Sequence, residues 1–262
     1  MKRILQRTLI LFFPLPVIAM LIGNPAQPSI QKTGLIWESP AWCSFRASYF
    51  GDYVYNQRFN DEFTIDDTPT NPTHLKLWTQ AGMLTLNFRN RIDLYGIFGG
   101  SRIEVDQDVT TKQQFAWGVG GKIIFLHEGR FRAGCDIKYF QTNQSPSFFQ
   151  SENLAYNIVS DFHFNYNELQ AALGLSYQTK YFSPYANASY LIATLEPKPA
   201  IATVRLPMVD MDVDVISKSV TASNRFGLAI GATIIDKKKA TVAIEWRTFN
   251  QNSIDVTGEL RF

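Results

Sequence analysis

From residue 42 to the end of the chain, apolar residues return at every second position. In CSFRASYFGDYVYNQ one parity carries Cys43, Phe45, Ala47, Tyr49, Tyr53 and Tyr55, and the other carries Ser44, Arg46, Ser48, Asp52 and Asn56. Phe50 and Val54 break the pattern from the polar parity. FRAGCDIKYF sets Ala133, Cys135, Ile137 and Tyr139 against Arg132, Asp136 and Lys138. ELQAALGLSYQ and ATVAIEWRTF repeat the device, the latter with Val242, Ile244 and Trp246 against Ala243, Glu245 and Arg247. The closing SIDVTGELRF puts Ile254, Val256, Leu260 and Phe262 on one parity and Asp255, Glu259 and Arg261 on the other. Period two with a single apolar parity predicts strands half-exposed to an apolar medium. Several apolar parities run for roughly ten residues, the length a tilted strand needs to cross a bilayer.

The punctuation between these segments is of two kinds. Short polar breaks fall at 89–91, 127–130, 178–182 and 236–239, and longer polar stretches at 57–74, 106–113, 143–157 and 197–211. They alternate, as the short periplasmic turns and longer extracellular loops of an outer-membrane barrel do. Strands are expected near 42–56, 75–88, 92–105, 114–127, 131–142, 158–178, 183–196, 213–235, 239–249 and 252–262. The fold class is therefore an all-β, transmembrane antiparallel β-barrel of about ten strands, an even number as such barrels require. Two long segments could each hide a hairpin, making about twelve the alternative. A soluble β-sandwich would also alternate, but the aromatic load, the leader-like start and the terminal Phe262 count against it.

Composition sharpens this picture. Aromatic residues reach 14%, charged residues only 18%, and mean hydropathy is -0.10. Averages cancel in this way when half of each strand faces lipid and half faces a polar interior. The start, MKRILQRTLILFFPLPVIAM, has a basic head followed by an apolar run, with Val17 and Ala19 at the small-residue spacing of a cleavage site. It reads as a secretory signal peptide over 1–19, and Pro14 and Pro16 argue against a helical anchor. Residues 20–41 would then form an N-terminal periplasmic segment and 42–262 the barrel. The leader holds Lys2, Arg3 and Arg7, three of the 25 basic residues, so the mature chain has 22 against 23 acidic ones. That balance leaves no electrostatic case for nucleic acid.

The inward parity offers Arg46, Arg132, Asp136, Lys138, Glu245, Arg247, Asp255, Glu259 and Arg261 as pore-lining candidates. Their signs are mixed, so a salt-bridged polar interior is as natural a role as a selective constriction. Tyr53, Tyr55, Tyr181, Phe182 and Trp246 suit interfacial belts. No cofactor is expected: the sequence contains no phosphate-binding glycine loop, no HExxH and no GxSxG, and its three histidines lack metal-ligand spacing. An enzyme would have to rest on His163 near Asp161, or on His74 beside Asp66 and Asp67. Such pairs are common by chance, and no enzyme is expected. Cys43 and Cys135 could be bridged to each other, bridged to a neighbour, or free. The acidic 57–74 stretch, with Asp61 and Glu62, leaves a structural or adhesive surface barrel as the alternative function.

Residues 22–38, IGNPAQPSIQKTGLIWE, followed by AWCSFRASYFGDYVYNQRF, resemble the mature N-terminus of the chlamydial major outer membrane protein family. LWTQAGMLTLNFRNRIDLYGIFGG, AWGVGGKIIF, ELQAALGLSYQTKYFSPYANASY and GLAIGATIIDKKKATVAIEWRTF, through to GELRF, extend the similarity in order along nearly the whole mature chain. The resemblance implies an abundant outer-membrane porin passing small hydrophilic solutes, with a structural envelope role. It implies outer-membrane lipid as surroundings, assembly machinery that reads the closing strand through Ile254, Val256, Leu260 and Phe262, and by analogy a trimer. This chain is shorter than the family pattern and keeps only Cys43 of the cysteine cluster near the Trp-Glu block, so heavy disulfide cross-linking is not carried over.

Overall fold

A computed structural model describes residues 23–31, 34–35, 42–60, 74–105, 109–151, 154–156, 158–159, 163–198, 200–205, 210–215, 219–236 and 239–262. The chain forms a closed antiparallel barrel of ten strands. These are β1 (Cys43–Arg58), β2 (His74–Phe88), β3 (Ile92–Val105), β4 (Gln114–Glu128), β5 (Phe131–Gln144), β6 (Phe164–Tyr177), β7 (Phe182–Pro197), β8 (Phe226–Asp236), β9 (Ala240–Thr248) and β10 (Asn252–Arg261). Each pairs with its sequence neighbour, and β1 with β10 closes the ring through a register running from Arg46↔Arg261 to Asn56↔Asn252. The ten strands match the expected segments closely. The two long ones resolve without extra barrel hairpins: β6 starts at Phe164 rather than 158, and β8 at Phe226 rather than 213.

The turns explain the register. In the break after β2, Arg89 and Asn90 both take positive φ, 51° and 53°, and Arg91 N–H donates to Phe88 O at 2.9 Å. That two-residue turn matches the right-handed twist of its flanking strands. Gly129, at φ 53°, does the equivalent work between β4 and β5. These short turns and the C-terminus share one end, the periplasmic end of an outer-membrane barrel. Residues 1–19, expected as a leader, and the acidic residues Asp61, Glu62, Asp66 and Asp67 lie outside the described residues.

Through the lower and middle barrel, alternation sorts as the sequence predicts. Leu84, Leu94, Phe98, Val119, Ile137, Leu173, Ile230 and Ile244 are exposed on the outer wall, while Arg46, Asp93, Lys122, Asp136 and Glu259 are buried inside. Near the other end the polarity inverts. Leu75, Leu77, Ile103, Val105, Phe140, Phe164, Tyr166, Leu191 and Leu195 pack inside as one apolar cluster. The outward positions there include Lys76, Arg102, Glu104, Gln141, Asn143, Asn165, Asn167 and Glu196, with Trp78 and Ile192 among them.

The ring also narrows at that end. A short strand, Val220–Thr221, pairs with β7 at Leu195 and Thr194. Ala222 bridges to Phe59 just beyond β1, and Ser223 N–H donates to Arg58 O at 2.9 Å. One strand thus joins β7 to β1 where β8, β9 and β10 join them lower down. Replacing three strands by one takes the ring from ten to eight. Eight strands is the size whose interior is just filled by side chains.

Candidate functional site

The lumen is the candidate site, and it is built in three layers. The periplasmic layer holds a second piece of chain. Residues Gly23–Gln31, with the one-turn helix Gln27–Ile30, lie inside the barrel, although residues 20–41 were expected in the periplasm. Asn24 opens a tight turn: its Oδ1 accepts from Ala26 N–H at 2.8 Å and its carbonyl from Gln27 N–H at 3.0 Å. Side chains that would otherwise line a channel hold this segment. Arg46 pairs with Asp93, and its Nε lies 3.4 Å from Glu259. Lys122 lies 3.6 Å from Asp136, which also accepts from Tyr95 OH at 2.7 Å. Arg261 donates to Gln31 O and to Asn90 Oδ1. Between segment and wall a cavity of about 40 Å³ remains, room for about two or three waters.

The central layer is ionic. Register places Asp52 opposite Asp255 on the adjacent strand, and Asp255 opposite Glu245 on the next. All three are fully buried and face inward. Like charges abreast repel, and Arg247 offsets them: its Nη2 meets Asp52 at 2.8 Å and its Nε lies 3.5 Å from Glu245. Glu168 accepts from Tyr166 OH at 2.8 Å, and Lys138 is buried in the same interior. Such a set is stable only while each charge keeps its partners.

The third layer is the apolar cluster under the eight-strand ring. Sequence reasoning missed it, although a signal was present. Val54 broke the alternation because it points inward into this cluster; Phe50 also points inward and is buried, but lower down, against Ala81 and Ile97. Leu75 and Leu77 of HLKLW, and Leu191 and Leu195 of YLIATLE, likewise place leucines on the parity opposite the lipid-facing one.

Of the candidate lining residues, Arg46, Glu259 and Arg261 meet in the periplasmic layer with Asp136 nearby, and Glu245, Arg247 and Asp255 meet in the central layer beside Lys138. Arg132 stands apart from both, donating to Gly129 O and Phe131 O of its own turn at 2.7 and 2.8 Å. On the closing strand Ile254 and Leu260 face outward, and Phe262 N–H donates to Phe45 O at 2.9 Å with the two rings 6.3 Å apart. Cys43 and Cys135 are free thiols on β1 and β5. Tyr53 stacks on Trp78 at 5.2 Å, and Trp246 Nε1 approaches Tyr55 OH at 3.5 Å. Tyr181, under the Lys180 ammonium, and Phe182 mark the opposite rim. His74 meets Asn56 Oδ1 at 2.9 Å and His163 meets Ser145 Oγ at 2.6 Å; Asp161 is outside the described residues. Among the described residues no cluster of His, Cys, Asp and Glu could hold a metal ion.

These features define the class: an outer-membrane β-barrel. No family model matches the chain. Its curated relatives are nevertheless consistent. The major outer membrane porin of Chlamydia trachomatis serovar E is 22% identical, aligned over 93% of this chain and 95% of its own length. The serovar L3 porin is 23% identical with the same shares. The chain is thus a divergent relative of the chlamydial major outer membrane porins, and its place is the outer membrane. Among solved structures, the translocator domain of the autotransporter NalP from Neisseria meningitidis matches at TM-score 0.47 and 9% identity, covering 84% of this chain and 88% of that one. The outer membrane protease OmpT from Escherichia coli matches at 0.42 and 10%, covering 84% and 95%.

Proposed function

We propose that this chain is a porin-related barrel held closed at rest, contributing to the structure of the outer membrane rather than acting as a standing channel or an enzyme. The observation that carries this reading is the eight-strand, apolar-filled ring at the extracellular end. A hydrated solute entering there would have to displace packed Leu, Ile and Phe side chains, and interiors packed to that density do not yield without an alternative arrangement. The polar layers below are a salt-bridged interior in this state, which is why mixed charges suit them.

Single-channel recording of the refolded protein in a planar bilayer tests the reading, with strand content checked by circular dichroism. A folded, inserted and electrically silent barrel is expected. Steady stepwise conductance would overturn it. It would favour the second reading, passive diffusion of small hydrophilic solutes, which is supported by the porin names of the relatives. In that event Glu245→Ala or Arg247→Ala should shift ion selectivity.

A further inference from the structure

We infer that the periplasmic half of the lumen is a peptide-binding cup whose occupant is the chain's own Gly23–Gln31 segment, seated as an exchangeable plug. The inference deepens the closed-barrel reading by assigning the second closure, and it is tested independently of the first. Five backbone carbonyls of the segment each receive a wall donor. Asn187 Nδ2 donates to Gly23 O at 3.0 Å, Lys122 Nζ to Asn24 O at 3.4 Å, and Arg46 Nη1 to Gln27 O at 2.9 Å. Asn87 Nδ2 donates to Pro28 O at 3.1 Å, and Arg261 Nη1 to Gln31 O. The donors are side chains from strands on opposite sides of the ring, so the wall holds the segment by its main chain although the two share no ladder.

Side chains add a sequence requirement. Asn24 Nδ2 donates to Ser183 Oγ and Thr233 Oγ1 at 3.1 and 3.0 Å. Gln27 Nε2 donates to Glu259 Oε1 at 2.6 Å and to Thr241 Oγ1 at 3.1 Å. Pro25 sits in a notch made by Gly134 and Gly174, which face each other across β5 and β6. A Cβ on Gly174 would lie 3.0 Å from Pro25 Cγ, and one on Gly134 3.0 Å from Pro25 O. Among the described residues the segment shares no ladder with the wall, and beyond the Pro25 notch its apolar anchorage includes Ala26 and Ile30 against Ile235. Polar attachment without a β-ladder leaves it able to open locally while the barrel stays folded.

The test uses the full chain with Cys43→Ser and Cys135→Ser and a reporter, Thr85→Cys, in the wall of the residual cavity beside Gln27. The rate of labelling by a membrane-impermeant maleimide is measured with the plug intact, with residues 20–31 removed, and with Gln27→Glu, which sets a carboxylate against Glu259. Both changes should raise the rate by at least about tenfold, because opening and not intrinsic thiol reactivity limits labelling when the plug is seated. Two restorations are specific to a plug. A synthetic Gly23–Gln31 peptide should protect the truncated barrel saturably, while a scrambled peptide should not. Glu259→Gln should return the Gln27→Glu chain to slow labelling by re-forming an amide–acid pair. Equal labelling in all forms, or acceleration that neither peptide nor second substitution reverses, would overturn the inference. If truncation prevents folding, the point-variant pair decides alone. A truncated barrel that binds peptide yet conducts across the bilayer would sink the extracellular seal and leave the cup standing.

Discussion

The two ends of this barrel obey opposite rules. Below, the outer wall is apolar and the interior carries ion pairs and amides. Above, the interior is apolar and the outer wall carries Lys76, Arg102, Glu104, Asn165, Asn167 and Glu196. The lower part is built as a membrane protein, the upper part as a small water-soluble barrel set on top of it. The strands that run through both parts can serve both, because a strand's two faces are independent and either can be the dry one. What differs is the medium outside, and the residues on each parity exchange roles where that medium changes.

The comparison can be broken at several points. The largest effect is expected in the central layer. Arg247→Ala leaves Asp52, Glu245 and Asp255 facing each other without their guanidinium, and stability should fall by about 3–5 kcal/mol, read from urea unfolding in detergent micelles. Loss under 1 kcal/mol would mean that this layer is wet rather than tightly paired. Next is the upper core: Phe140→Ala should cost about 3–5 kcal/mol, as in a soluble protein. If it proves as mild as truncation of a lipid-facing residue such as Leu173, the upper ring is not a packed core.

A third substitution separates the two outer walls. Ile137→Lys places a charge on the lipid face and should cost about 2–4 kcal/mol near mid-membrane. Asn167→Lys, higher on the neighbouring strand and also facing outward, should be within about 0.5 kcal/mol of wild type. Equal costs, measured by folding titrations into lipid vesicles, would erase the proposed boundary. The smallest effect belongs to the half-exposed Lys76–Glu104 pair, 2.6 Å apart. Lys76→Ala should change stability by less than about 1 kcal/mol, and the change should shrink as salt is raised.

Much of the lower barrel was legible beforehand. Strand positions, outward faces and the alternation of short and long breaks all follow from local pattern, because side-chain period and turn chemistry are local properties. Arg46, Asp136, Lys138, Glu245, Arg247, Asp255, Glu259 and Arg261 could be assigned to the inner face for the same reason. Their grouping into two layers could not, since partners such as Arg46 and Glu259 are 213 positions apart and meet only once β1 and β10 close the ring.

The sequence by itself determined an aromatic-rich chain of about ten amphipathic strands and, in the lower barrel, the face most of their residues take. Tertiary structure alone decided that the lumen is closed. Phe50 and Val54 registered in the sequence only as faults in an alternation, and Leu75 and Leu191 did not register at all, because local pattern cannot say what faces them across a barrel. Val220–Thr221 falls within the strand expected at 213–235, and its separate role arises only through pairing with β7 and the bridge from Ala222 to Phe59. The Asn24–Pro25 turn reads as an ordinary loop until Gly134 and Gly174 are brought side by side to receive it.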